Sequence, residues 1–222
     1  MAQLTIVRHA QASFGAQDYD NLSELGHEQS KILGAHLKSC GYQPDHIITG
    51  DMKRHKQTAE GIIHSLGNCA TSTDNSWDEF DFDAIVRSYL GTHPHLQPKA
   101  NAPRSDWYKV LRSAMLAWST NSLKDYTGES WQHFVSRVKT GAAAIANSQH
   151  SNVMVVSSGG AMAVFLMQIL NSSVEQAIAF NLQIRNTSVN QYFFNKKGFQ
   201  LSTFNNVSHL DTPEHLNKIT YS

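Results

Sequence analysis

A chain of 222 residues with 41% apolar side chains is long enough to bury a full core and short enough for a single α/β domain over 1–222 carrying one insertion. Its 18 basic and 18 acidic residues cancel, so neither nucleic acid nor an anionic membrane surface is expected as a partner. Cys40 and Cys69 make no CxxC pair, no leader pattern precedes the first strand, and no apolar run could span a bilayer. A cytoplasmic location is expected.

In chain order, Thr5-Ile6-Val7 is a short β-branched run of the kind buried on both faces of a sheet. Arg8, His9 and Gln11 follow at its carboxyl end, where ligands bind in open α/β sheets. A forked cation beside an imidazole that titrates near neutrality suits a phosphate ester. Residues 12–21 read as a loop. Ser23 caps a helix with Leu25, Ile32, Leu33, Leu37 and Cys40 on its apolar face and Gly41 as its stop. Ile47-Ile48-Thr49 predicts a second strand. Lys53 to Leu66 predicts a helix with Ala59, Ile62, Ile63 and Leu66 on one stripe, and residues 70–73 a third strand.

The periodicity loosens over about 75–128, which we read as a lid or insertion over the cleft. It holds the acidic, aromatic run Trp77 to Asp83 and a helix with Trp107, Val110, Leu111, Met115 and Trp118 on its apolar side. Order returns with an amphipathic helix from Glu129 to Ser148 and a doubly buried strand, Val153 to Val156, ending in Ser157-Ser158-Gly159-Gly160. An apolar helix from Ala161 to Leu170, a short helix announced by Ser172 and Glu175, and a hairpin (189–194 and 199–204) complete the chain. The pattern predicts an α/β fold of three layers, α/β/α. Its sheet is mostly parallel with one antiparallel edge strand, and a helical insertion covers the cleft.

Several segments in this order resemble the signatures of the histidine phosphatase (phosphoglycerate mutase-like) superfamily. They are Val7-Arg8-His9-Ala10-Gln11, Leu22-Ser23-Glu24-Leu25-Gly26 with Gln29, Arg54-His55-Lys56-Gln57-Thr58-Ala59, Glu129-Ser130-Trp131 with Arg137-Val138, and Val155 to Gly160. The resemblance implies that His9 is a nucleophile forming phosphohistidine. It also implies that Arg8 and Arg54 clamp the phosphoryl oxygens, and that Gln11, Ser158 and Gly159 line the substrate site. Glu79 lies where the family carries its proton donor, and burial beside aromatic rings would keep it protonated. Asp78, Asp81 and Asp83 compete for that role, because the glycine of the family's E-x-x-x-G pattern is missing.

The main departure is Ser158, where the family has a second pocket histidine; Ala10 for glycine and a missing asparagine near Gly15 are smaller ones. Three explanations stand open. A different histidine (for instance His93, His95 or His209) supplies the charge; Ser158 with the Gly159 and Gly160 amides suffices at a helix start; or the site binds phosphate and scarcely turns it over. The expected activity is a phosphomonoesterase hydrolysing a small phosphorylated metabolite or phosphoprotein. It requires neither a cofactor nor a metal; no HExxH or EF-hand spacing is present. The alternatives are a weak or inactive phospho-ligand-binding module and, less favoured, a phosphoglycerate mutase. Trp77, Phe80, Phe82, Trp107 and Tyr108 are either an aromatic wall for substrate or lid core.

Overall fold

The computed structural model describes residues 2–13 and 20–221. The expectations about Gly15 and the loop around it lie outside these residues. Six strands form one sheet in the order β3-β2-β4-β1-β5-β6: β1 (Ala2–Arg8), β2 (His46–Thr49), β3 (Ala70–Thr73), β4 (Asn152–Ser157), β5 (Val189–Asn195) and β6 (Gly198–Asn206). β3, β2, β4 and β1 pair in parallel, and β5 runs against both β1 and β6. The reversed strand thus lies one place in from the edge, and β6 closes the sheet.

The pleat sends successive side chains to opposite faces, and the core divides accordingly. Val7, Ile47, Met154 and Val156 pack with Leu33, Leu37, Ala59 and Ile62 of helices α1 (Glu24–Ser39) and α2 (Lys53–Leu66). Leu4, Ile6, Val153 and Val155 face the other layer, with Phe134 and Val138 of α5 (Trp131–Ala146) and Phe165 of α6 (Gly159–Leu170). Helix α7 (Val174–Gln183) packs on α6 in that layer. These are the three layers expected.

Residues 75–128 hold α3 (Phe82–Thr92) and α4 (Arg104–Ser119), preceded by a 3-10 turn at Asn75–Trp77. Trp77, Phe80, Ile85, Met115 and Trp118 belong to the same apolar cluster as Leu4 and Ile6, so this part of the segment is built into the main core. Trp77 and Phe80 are interior; Trp107, in the first turn of α4, is 38% exposed.

Several boundaries differ from expectation for local reasons. Cys40 is exposed because the helix ends at Ser39 and Cys40 is its C-cap, followed by Gly41 at φ +69°. α6 starts two residues early, at Gly159, with Ser158 as N-cap. Ser173, not Ser172, caps α7, accepting from the Gln176 amide at 3.3 Å. The hairpin turn shrinks to Lys196-Lys197, because Asn195 already pairs with Gly198. Among the described residues no helix is long and apolar enough to cross a membrane.

Candidate active site

The carboxyl ends of β1 and β4 lie side by side, and the first residue past each is a site residue: His9 after Arg8, and Ser158 after Ser157. The backbone of His9 is fixed from three directions. Its amide donates to Ser157 O at 2.8 Å, its carbonyl accepts from Asn186 Nδ2 at 3.0 Å, and the next amide, of Ala10, donates to Thr58 Oγ1 at 3.0 Å. The side chain is 4% exposed, and its Nδ1 lies 2.7 Å from Ala10 O. A carbonyl can only accept, so Nδ1 carries the proton and Nε2 keeps its lone pair. Burial holds the His9 pKa well below its ordinary value, and the charges of Arg54 and Arg8 push in the same direction. His9 is therefore neutral near pH 7, with the Nε2 lone pair unprotonated.

Arg54, in the first turn of α2, is buried, and its Nη1 donates to Asp20 Oδ1 at 2.7 Å. Arg8 Nη1 donates to the carbonyls of Ile184 and, at 2.9 Å, Tyr221. Both guanidiniums act electrostatically on His9 and on Glu79, which puts all four groups around one spot. Gln11 is held by the start of the next helix. Its Oε1 accepts from Ser23 Oγ at 2.8 Å and its amide donates to Gln29 Oε1 at 2.9 Å, which ties the loop after β1 to the start of α1.

Ser158 is fully buried, and the start of α6 behind it is tight: a Cβ on Gly159 would come within 2.6 Å of Asn181 Oδ1 and 3.6 Å of Arg8 Nε. The histidine at Ser158 is none of the three expected. His93 stacks on Tyr89, His95 lies beside His93, and His209 bonds Thr187 and faces His36. The neighbour is His55 of α2, whose Nε2 lies 2.7 Å from Ser158 Oγ and whose ring centroid is 5.7 Å from that of His9. It is completely buried, and burial and the Arg54 charge depress its pKa well below the ordinary value. Its other nitrogen, Nδ1, faces Asp78 Oδ1 at 3.8 Å. The sequence did carry a signal for it: His55 precedes Thr58 by three positions and Ile62 by seven, the buried face of α2.

The four acidic candidates are sorted by their partners. Asp81 caps α3, accepting from the Ala84 amide at 2.9 Å, and Asp83 follows in the first turn of that helix. Asp78 accepts from the Asp51 amide at 2.6 Å and faces His55. Glu79 turns to the start of α6, where its Oε2 accepts from the Gly160 amide at 3.0 Å. Burial raises the Glu79 pKa, and the Gly160 amide and the two arginines oppose that rise without cancelling it. Arg137 holds this loop from below. Its Nη1 donates to the carbonyls of Asn75, Ser76 and Asp78, at 2.8 Å for Asp78, while its Nε donates to Glu129 Oε1 at 2.7 Å.

A neutral imidazole with an unprotonated Nε2, two guanidiniums and a buried carboxyl whose pKa is raised form a constellation suited to phosphoryl transfer. The model of the histidine phosphatase superfamily (branch 1) matches residues 4–207, and the chain belongs to that superfamily. A protein of Salmonella paratyphi A named probable phosphoglycerate mutase GpmB is 26% identical over 225 residues, covering 96% of this chain and 97% of that one. The fold is shared with a phosphoglycerate mutase of Bacillus anthracis, at a TM-score of 0.66 and 18% identity over 94% of each chain. It is also shared with the alpha-ribazole phosphatase of Shigella flexneri, at a TM-score of 0.64 and 17% identity over 92% of this chain and 96% of that one.

Proposed function

We propose that the protein is a phosphomonoesterase acting on a small phosphorylated metabolite or a phosphoprotein, with His9 as the nucleophile. The observation that carries this reading is the Nδ1 contact of His9 with Ala10 O, which leaves Nε2 unprotonated in the field of Arg54 and Arg8. In the first step Nε2 attacks phosphorus, the bond from phosphorus to the ester oxygen breaks, and Glu79 gives its proton to the departing alkoxide. In the second, water attacks the phosphohistidine, Glu79 takes the proton from that water, and Nε2 leaves as the neutral imidazole. Arg8 and Arg54 stabilise the charge spread over the three equatorial oxygens. Gly159, at the start of α6, lends the amino end of a helix to the same charge.

The test is hydrolysis of an aryl phosphate by wild type and His9→Ala, with the adduct trapped by rapid quenching. Turnover lost in His9→Ala and an acid-labile phosphoryl on His9 support the proposal. An acid-stable phosphoryl on Ser158 would overturn the choice of nucleophile. Conversion of 3-phosphoglycerate to its isomer without net hydrolysis would shift the reading to a mutase, the activity in the name of the Salmonella relative. Phosphate binding with no turnover on a broad phosphomonoester panel would shift it to a binding module.

A further inference from the structure

Three features of the sequence that look unrelated meet at one point. Ser158 stands at the end of β4, His55 on the buried face of α2, and Gly50 after β2. A Cβ on Gly50 would stand 2.2 Å from His55 Nδ1 and 2.5 Å from Asp78 Oδ1, so no larger residue fits there while the imidazole is in place. The His55 ring fills that space, reaches Ser158 Oγ with Nε2 and turns Nδ1 to Asp78. Asp78, His55 and Ser158 thus form a row that ends at the phosphate pocket, with the His55 ring 5.7 Å from that of His9.

We propose that His55 supplies from α2 the second imidazole that the end of β4 lacks, acting through the hydroxyl of Ser158 on the bound phosphoryl group. This rests on the phosphate pocket of the preceding section. Ser158 O–H donates to a phosphoryl oxygen, and its Oγ accepts from His55 Nε2–H. A hydroxyl that both donates and accepts is polarised by the group behind it, and more so when that group is cationic. Before a phosphoryl group arrives, the adjacent Arg54 disfavours a charge on His55. A dianion in the pocket reverses that field, and His55 takes up a proton, with Nδ1–H directed at the Asp78 carboxylate. Ser158 is the contacting residue, and His55 and Asp78 are positioning residues. Gly50 makes the room.

Sulfate binding tests this without turnover, because sulfate stays a dianion through neutral pH and any proton taken up belongs to the protein. Calorimetric titration in two buffers of different ionisation enthalpy compares wild type with His55→Ala, His55→Gln, Ser158→Ala, the double alanine variant, and the exchange His55→Ala/Ser158→His. Wild type is expected to take up close to one proton that both His55 variants do not. His55→Ala and Ser158→Ala should each weaken sulfate binding about tenfold, with the double variant no weaker than the worse single one. The exchange should recover the affinity and the proton. His55→Gln keeps most of the volume and a donor, so its loss of proton uptake is not a folding defect. Equal affinity and proton uptake in wild type and His55→Gln would overturn the inference, as would additive losses in the double variant, or no sulfate binding by wild type at all. Aryl phosphate turnover in the same variants separates the two readings. Failed hydrolysis with intact sulfate linkage sinks the phosphatase and leaves His55 in its role. Active enzyme indifferent to His55→Gln does the reverse.

Discussion

Glu79 Oε2 accepts the Gly160 amide at 3.0 Å, and a Cβ on Gly160 would stand 2.1 Å from Glu79 Oε1 and 2.6 Å from the Phe80 ring. The glycine therefore sets where the carboxyl can sit. Gly160→Ala should push Glu79 off the amino end of α6 and lower kcat on an aryl phosphate by about a hundredfold, the low end of what losing a general acid costs. The melting temperature should fall as well, because the Phe80 ring that the Cβ meets is packed in the core against Trp118 and Phe134. Unchanged kcat would mean that Glu79 does not act from this position.

The raised pKa of Glu79 also fixes the sign of a stability effect. The folded state binds this proton more tightly than the unfolded one, so stability falls as pH rises through the window above the ordinary carboxyl value near ~4.3. Glu79→Gln should therefore melt higher than wild type at pH 7, with the difference shrinking toward pH 4, while kcat drops. A variant both less active and less stable at neutral pH would contradict a carboxyl strained by burial.

His9 and His55 have the opposite sign. Both are depressed, so the unfolded chain takes protons near pH 6.5 that the folded chain refuses, and stability falls as pH drops below that value. Each refused proton contributes a slope of about 1.4 kcal/mol per pH unit. Urea unfolding at pH 7, 6 and 5 should show this decline, and His55→Gln should flatten it by roughly one proton. Identical slopes would mean that His55 is protonated in the native state.

Arg137 gathers the carbonyls of Asn75, Ser76 and Asp78 and pairs with Glu129, with its own side chain 15% exposed. Arg137→Ala leaves those carbonyls and Glu129 short of a donor and should cost about 2–4 kcal/mol of stability. Because the same loop carries Glu79, kcat should fall as well, with KM for an aryl phosphate little changed. Arg137→Lys keeps the charge but not the fork and should recover only part of both.

Strand and helix periods exposed most of the frame. α2 runs from Lys53 to Leu66 as its apolar stripe and Gly67 predict, because a positive φ of 92° at that glycine stops it. β1 and β4 were legible as continuous apolar runs because both faces of each are covered. Arg8, His9 and Arg54 were legible as motif residues. His55 was not, since the stripe of α2 is defined by its aliphatic members and a histidine on that face counts as polar. Asp78 and Gly50 matter only through closeness across separate elements, which no spacing along one chain displays. The bond from Ser23 Oγ to Gln11 Oε1 is of the same kind, joining residues twelve positions apart.

The contact between Arg8 and Tyr221 O joins residues 213 positions apart. Lys218 O and Thr220 Oγ1 likewise hold Gln29 Nε2, at 2.6 and 3.0 Å, and the backbone amide of Asn186, whose side chain donates to His9 O, donates to Thr220 O at 2.9 Å. Residues 218–221 are therefore clamps on the side chains flanking His9, and removing them would strip Arg8 and Gln29 of partners while leaving all six strands in place.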